Sequence, residues 1–304
     1  MRSSLLTVSF FVFTFCWAAL ALIVSLVGGQ RTVRWFLRVW GEASQWLTRK
    51  ILNATIEVRG LERFGPGERP ALIAAKHQSE LDTFIFPAMH PDLSAIAMEE
   101  LTNYPLLGPI LRKLDYILVS VEGKRANQMI QVVSGSRRAH EQGRPILIFP
   151  EGELMRVGSR HRYKSGVFHI YQALNCPAHP VALSCGLVWP QRKWRKRPHQ
   201  TCVLEFLEPI PPGLDQAAFM AELERRIEEG TMALIREHGD PETVAIAEER
   251  HRLGLTNEDH VTVADLTRRR GIDLDRHEPS TGDAEADRGA GGANKNDPGE
   301  SAHV

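Results

Sequence analysis

His77 and Asp82 stand five positions apart in the segment Lys76-His77-Gln78-Ser79-Glu80-Leu81-Asp82-Thr83-Phe84, directly after the apolar run Ala71–Ala75. Histidine titrates near pH 6.5, so a large share is neutral at working pH and able to take a proton from a hydroxyl nucleophile. A carboxylate on the other ring nitrogen fixes the tautomer and stabilises the imidazolium that forms. Residues five apart on an α-helix point about 140° apart, so His77 must sit on the turn leaving the strand, with Asp82 in the first turns of the next helix. Glu80 is a second carboxylate at hand, or else faces solvent at the helix N-terminus. By itself such a pair is as much at home on a surface as in a catalytic site.

A second polar group follows another apolar run. In Phe149-Pro150-Glu151-Gly152, Pro150 removes a backbone donor and stops a strand, while Gly152 lets the chain turn. Glu151 is expected to project from the strand end toward the rim that carries His77. Two rims of one sheet, each bearing a polar residue, point to a shared site.

The elements that must hold these groups are legible as short apolar runs bounded by turn residues. Alternation at Thr55–Val58 and the runs Ala71–Ala75, Tyr116–Val119, Ile146–Phe149, Val181–Leu183 and Cys202–Phe206 predict strands, most of them buried on both faces. Helical periodicity covers Thr83–His90, Ala126–Gln142, Gly166–Leu174 and Gln216–His238, the last with Phe219, Leu223, Ile227 and Leu234 on one face. Strands alternating with helices indicate an α/β fold, a mixed and mostly parallel sheet flanked by helices. Functional groups of such sheets gather past the carboxyl ends of strands. A short helix is expected to continue to about Leu253. From Glu278 the chain is Gly-, Asp- and Asn-rich and reads as disordered, having too little apolar surface to offset its ordering entropy.

Ahead of this domain, Ser4–Gln30 carries no charge and Leu5–Val27 is almost wholly apolar. At about 1.5 Å per residue the stretch is long enough for a hydrocarbon core of about 30 Å, and it lacks the small-residue site of a cleaved signal. Arg31, Arg34, Arg38, Arg49 and Lys50 follow it and only Arg2 precedes it, which places the remainder on the cytoplasmic side of the inner membrane. Next, Phe36, Val39, Trp40, Ala43 and Trp46/Leu47 recur at helical spacing, with Trp35 among the arginines. This suits a helix in the headgroup region, although a core-facing helix or one arm of an embedded hairpin fits the same pattern. The basic run Arg192–Arg197, broken by Trp194, suits either an anionic lipid surface or a solvated loop. Zero formal net charge gives no overall signal for nucleic acid, and Cys16, Cys176, Cys185 and Cys202 have no metal-ligand spacing.

Taken in order, the His-x4-Asp segment, Phe149–Gly152, Tyr163-Lys164-Ser165-Gly166-Val167 and Pro180-Val181-Ala182-Leu183 resemble the PlsC family of 1-acyl-sn-glycerol-3-phosphate (lysophosphatidate) acyltransferases. The resemblance spans roughly Val58–His238, and an N-terminal membrane-embedded helix pair also fits it. It implies a PlsC-like acyltransferase fold over 52–240, an anchor over 1–51, an extension over 241–277 and a tail over 278–304. It implies His77 as general base, Asp82 as its orienting partner, and Glu151 and Gly152 in positioning the acceptor. The donor is expected to be acyl-CoA or acyl-carrier protein, the acceptor a membrane lysophospholipid, with no metal and no cofactor.

This chain departs from the family in two blocks. Where the second block usually has an arginine after its strand, this chain reads Tyr116-Ile117-Leu118-Val119-Ser120-Val121, and the nearest cations are Lys124 and Arg125. The third block usually continues Thr-Arg, whereas Glu153-Leu154 follow Gly152 here and the next arginine is Arg156. Those arginines are the expected phosphate clamp. Lys124, Arg125 and Arg156 are the substitutes, with Arg160, Arg162 and Lys164 behind them. Alternatively the acceptor lacks a phosphomonoester, as a lyso-ornithine lipid does. A non-catalytic membrane-docking protein of the same fold is the reading from another class.

Overall fold

The computed structural model describes residues 2–64, 71–120 and 125–257. Residues 65–70, Lys124 and the expected tail from 278 lie outside the described residues.

Seven strands form one sheet in the order β1-β7-β6-β2-β5-β3-β4, all neighbours parallel except the antiparallel pair β6/β7. They are β1 (Thr55–Arg59), β2 (Leu72–Ala75), β3 (Ser94–Met98), β4 (Ile117–Val119), β5 (Ile146–Ile148), β6 (Ala178–Leu183) and β7 (Thr201–Phe206). The fold is thus the expected mixed, mostly parallel sheet with helices on its faces. All four residues of central β2 are buried, as a parallel strand covered on both sides requires.

Eight helices accompany the sheet among the described residues: α1 (Arg2–Val27), α2 (Gln30–Leu52), α3 (Asp82–Met89), α4 (Leu107–Leu114), α5 (Arg125–Glu141), α6 (Gly166–Leu174), α7 (Gln216–His238) and α8 (Pro241–Leu253). Sequence patterning passes over β3 and α4. β3 is only five residues long and offers small side chains, and α4 contains Gly108-Pro109, which reads as a turn. Pro109 falls in the first turn of α4, where its missing N–H goes unmissed. Both α7 and α8 begin at an aspartate, Asp215 and Asp240, whose side chains accept from Ala218 N–H and Thr243 N–H.

α1 and α2 form a hairpin across Gly28-Gly29, and the hairpin lies on the domain. On α1, Leu6, Thr7, Phe10, Ala21 and Ser25 are buried. Leu5, Val8, Phe11, Val12, Phe15, Ile23, Leu26 and Val27 are exposed on the opposite side. Phe10 of α1 meets Trp189 at 4.9 Å and Phe84 of α3 at 5.6 Å, and Trp40 of α2 meets Phe84 at 5.3 Å.

The face of α2 that turns inward is built mainly of small and polar residues, with Trp40 and Leu47 packed beside them. Val33, Gly41, Ser44, Gln45, Thr48 and Leu52 are buried, while Trp35 and Trp46 point outward. The reason is proximity: small residues let α2 approach α3 more closely than an aromatic stripe would. A Cβ added at Gly41 would lie 2.5 Å from the Phe84 carbonyl oxygen. Gly41→Val is therefore expected to cost about 1–3 kcal/mol of overpacking and lower Tm in detergent. An unchanged Tm would show that this approach is dispensable.

Candidate active site

β2 and β5 are parallel neighbours with Leu72 opposite Ile146 and Ala74 opposite Ile148. The same offset carried past both strand ends sets His77 opposite Glu151, and the His77 N–H donates to Glu151 Oε2 at 3.3 Å. The two polar groups expected to share a rim do so because their strands are adjacent.

Beyond β2 the chain runs without regular structure through Ser79 and turns into α3, where Ser79 Oγ accepts from Leu81 N–H and the Ser79 carbonyl from Asp82 N–H. Asp82, the first residue of α3, is fully buried. Its Oδ2 lies 3.2 Å from His77 Nδ1 and accepts from the N–H groups of Gln78 at 2.8 Å and Ser79 at 2.9 Å. Those two peptide donors compensate a carboxylate that burial would otherwise penalise. With its proton on Nδ1, His77 donates to Asp82 and presents the Nε2 lone pair on the far side of the ring. Phe149 stacks on the imidazole at 3.9 Å, 15° from parallel, and Phe86 meets Phe149 edge-on at 6.1 Å. The His77 side chain keeps 14% exposure, enough for an approaching hydroxyl.

Glu80 does not compete for the histidine. Its Oε1 accepts from the Arg192 backbone N–H at 3.1 Å, so it holds a neighbouring loop.

Glu151, expected to position the acceptor, turns the other way. It is fully buried, with Oε1 accepting from Lys76 Nζ at 2.6 Å and Oε2 from His77 N–H. Both oxygens serve the protein interior, and the carboxylate braces the strand end from beneath. Lys76 is 1% exposed and donates also to Glu228 Oε1 at 2.6 Å and to the Ser159 carbonyl at 3.1 Å. Burial opposes the Lys76 charge, but the two glutamates outweigh it and its pKa is raised. Burial drives the Glu151 carboxyl up to about 7, with Lys76 pulling it down and Glu228 pushing it further up. Glu228 Oε1 also accepts from the Tyr163 hydroxyl at 3.0 Å.

Gly152 sits at φ 75°, in the left-handed region that favours glycine, and a Cβ there would lie 2.7 Å from Lys164 Cε. Lys164 is exposed and lies over the turn at Gly152, which directly follows Glu151. Arg156 is exposed and its N–H donates to Asn257 Oδ1 at 3.2 Å. Arg125 opens α5 and Lys124 lies outside the described residues. Glu153 is engaged by Asn257 at 3.3 Å.

Three groups escape sequence reasoning. Phe149 reads as the last residue of a strand, yet it is the ring that stacks on His77. Lys76 reads as a flanking cation, yet it is the most deeply buried one near the site. Glu228 gives a faint signal, a carboxylate between Ile227 and Thr231 on the inward side of α7.

Residues 55–184 match the family model described as Acyltransferase. The 1-acyl-sn-glycerol-3-phosphate acyltransferase of Pseudomonas aeruginosa is 29% identical over 185 residues, covering 60% of this chain and 71% of that protein. The Helicobacter pylori protein of the same name is 28% identical over 55% of this chain and 71% of its own length. The crystal structure of the 1-acyl-sn-glycerophosphate acyltransferase PlsC from Thermotoga maritima superposes with a TM-score of 0.61 at 20% identity, over 77% of this chain and 98% of that one. The rim that holds His77, Asp82 and Glu151 thus falls inside the segment, residues 55–184, that the Acyltransferase model matches, on a chain with the PlsC fold.

Proposed function

We propose that this protein transfers a fatty acyl group from acyl-CoA or acyl-carrier protein to the free hydroxyl of a lysophospholipid, foremost 1-acyl-sn-glycerol 3-phosphate. The observation that carries the reading is the His77–Asp82 contact at the carboxyl end of β2, with Nε2 on the open side of the ring. Nε2 takes the acceptor hydroxyl proton as that oxygen attacks the thioester carbonyl. Asp82 stabilises the imidazolium. When the tetrahedral adduct collapses, the carbon–sulfur bond breaks and the departing thiolate takes the proton back from Nε2.

The acceptor's phosphate would meet cations of the segment after Gly152. Arg156, Arg162 and Lys164 are all exposed there, and Lys164 lies against Gly152. Lys124 and Arg125 remain part of the proposed acceptor site.

The membrane reading rests on α1. Its exposed side is apolar from Leu5 to Val27, and its other side is covered by the domain toward both ends. Near its start Thr7 Oγ1 donates to the Trp194 carbonyl, and near its end Ala21 packs with Val33, Ile110 and Leu114. A helix covered in this way is suited to lie along a bilayer face with the domain beside it, rather than to cross alone. Arg192, Lys193, Trp194 and Arg195 are exposed next to its start and suit anionic headgroups at the inner face of the cytoplasmic membrane. Lys196 is not among them: it is buried over the Trp189 ring at 4.4 Å.

A second reading, the same chemistry on an acceptor without phosphate, is favoured by one feature. No arginine follows the strand in Tyr116–Val121, and Glu153-Leu154 stand where the family's third block usually continues Thr-Arg. The purified full-length protein assayed with acyl-CoA and acyl-carrier protein against a panel of lyso-lipids separates the two. The expected result is highest kcat/KM on 1-acyl-sn-glycerol 3-phosphate. Preference for a lyso-ornithine lipid would replace the acceptor assignment. Inactivity on every pair would favour a non-catalytic docking protein.

A further inference from the structure

His77 is reached from beneath by a helix that lies wholly outside the family-matched segment. Lys76 Nζ has three N–H donors and three acceptors: Glu151 Oε1 at 2.6 Å, Glu228 Oε1 at 2.6 Å and the Ser159 carbonyl at 3.1 Å. Each acceptor comes from a different place, the end of β5, helix α7 and the loop before α6. Glu228 is 5% exposed and is itself held by the Tyr163 hydroxyl, with His251 Nδ1 of α8 at 3.8 Å from its Oε2.

Such a cluster is a poor way to gain stability. Removing one ammonium and two carboxylates from water costs several kcal/mol per ion in general, and apolar side chains of the same volume do as well or better. What apolar packing does not supply is direction. Lys76 precedes His77 in the chain, and Glu151 accepts the His77 N–H, so the cluster grips the His77 peptide from both sides. A shift of the ammonium would be passed to Glu151, whose 3.3 Å contact with His77 has little slack. Positional error of about 1 Å at a reacting group is enough to lose about 100-fold in rate.

We propose that Glu228 is a positioning residue for acyl transfer, fixing the His77 peptide through Lys76 and Glu151 and so aiming the imidazole at the acceptor hydroxyl. The proposal rests on His77 being the base, and it assigns a role in the reaction to α7. Glu228→Gln keeps the shape and one acceptor oxygen but removes the charge that holds Lys76. Glu228 touches neither substrate, so the loss is expected in kcat and not in KM.

The test uses full-length protein in detergent micelles with acyl-CoA and 1-acyl-sn-glycerol 3-phosphate, below the Tm of every variant. Glu228→Gln is expected to lower kcat per folded molecule ten-fold or more, with both KM values within two-fold of wild type. Glu229→Gln, which removes an exposed charge from the adjacent position, is expected to change neither. Turnover of Glu228→Gln within two-fold of wild type, or a loss confined to KM, overturns the proposal. Should that variant not fold, Glu228→Asp keeps the charge and shortens the reach by one methylene, and the same criterion applies to it. His77→Ala run alongside separates the two ideas. If it is inactive while Glu228→Gln is normal, only the positioning role fails; if His77→Ala is itself active, the base assignment fails.

Discussion

His77→Ala is expected to reduce kcat about 1,000-fold or more, while the protein remains folded and membrane-associated. The loss is large because, among the described residues, the carboxylates near His77 are engaged elsewhere. Glu80 is turned to the Arg192 loop, and Glu151 and Glu228 are committed to Lys76. Folding should survive because the imidazole is on the rim, 14% exposed, and contributes mainly its stacking on Phe149. Asp82→Asn sharpens the comparison. The amide oxygen can still accept from Gln78 N–H, Ser79 N–H and His77, so geometry persists while the charge facing the imidazolium is gone. Its kcat should fall about 100-fold or more with KM little changed. The measurement is steady-state transfer from labelled acyl-CoA, beside circular dichroism and vesicle co-sedimentation. Near-normal turnover by His77→Ala would sink the mechanism.

Lys76→Met is expected to be the most destabilising single change in the domain, because it leaves Glu151 and Glu228 buried with their shared cation removed. Breaking a buried ion pair costs about 3–5 kcal/mol, and each kcal/mol moves Tm by about 2–4 °C at this size. A drop of about 6–20 °C follows. The deficit should also depend on pH with a definite sign. Burial already raises the folded Glu151 carboxyl from its ordinary 4.5 to about 7. A raised folded pKa contributes stability that is full below the unfolded value and is lost as pH rises through the folded one. Without Lys76 the force that lowers this pKa disappears, so the carboxyl rises further and resists ionisation more strongly. Thermal melts should show a larger gap from wild type at pH 8 than at pH 5. A pH-independent gap would mean that the glutamates are not charged in the native protein.

What could be read from the sequence follows the physical range of each signal. Strand ends are local, since apolar runs stop at Pro, Gly or charge, so the placement of His77 and Phe149–Gly152 at two carboxyl ends was visible. Their adjacency required only that β2 and β5 pair. The direction of Glu151 was not visible, because it depends on partners 75 residues back and 77 residues ahead in the chain, Lys76 and Glu228. Hydrophobic periodicity also says little about the contact face of α2. It ranks Trp46 above Gly41, whereas close helix contact selects the residue with no side chain. β3 gave little apolar contrast, since three of its five residues are Ser94, Ala95 and Ala97.

The contact between Gly41 and Phe84 carries a consequence for how the molecule is assembled. The helix that receives α2 at Phe84 is the same eight-residue helix that opens with Asp82. Phe10 of α1 reaches that helix too. The N-terminal hairpin is therefore not a leash from which the catalytic unit could be cut and re-tied by another anchor. It is a wall against the site: under the proposed membrane reading, a force on the hairpin is delivered two residues from Asp82, the carboxylate proposed to orient His77.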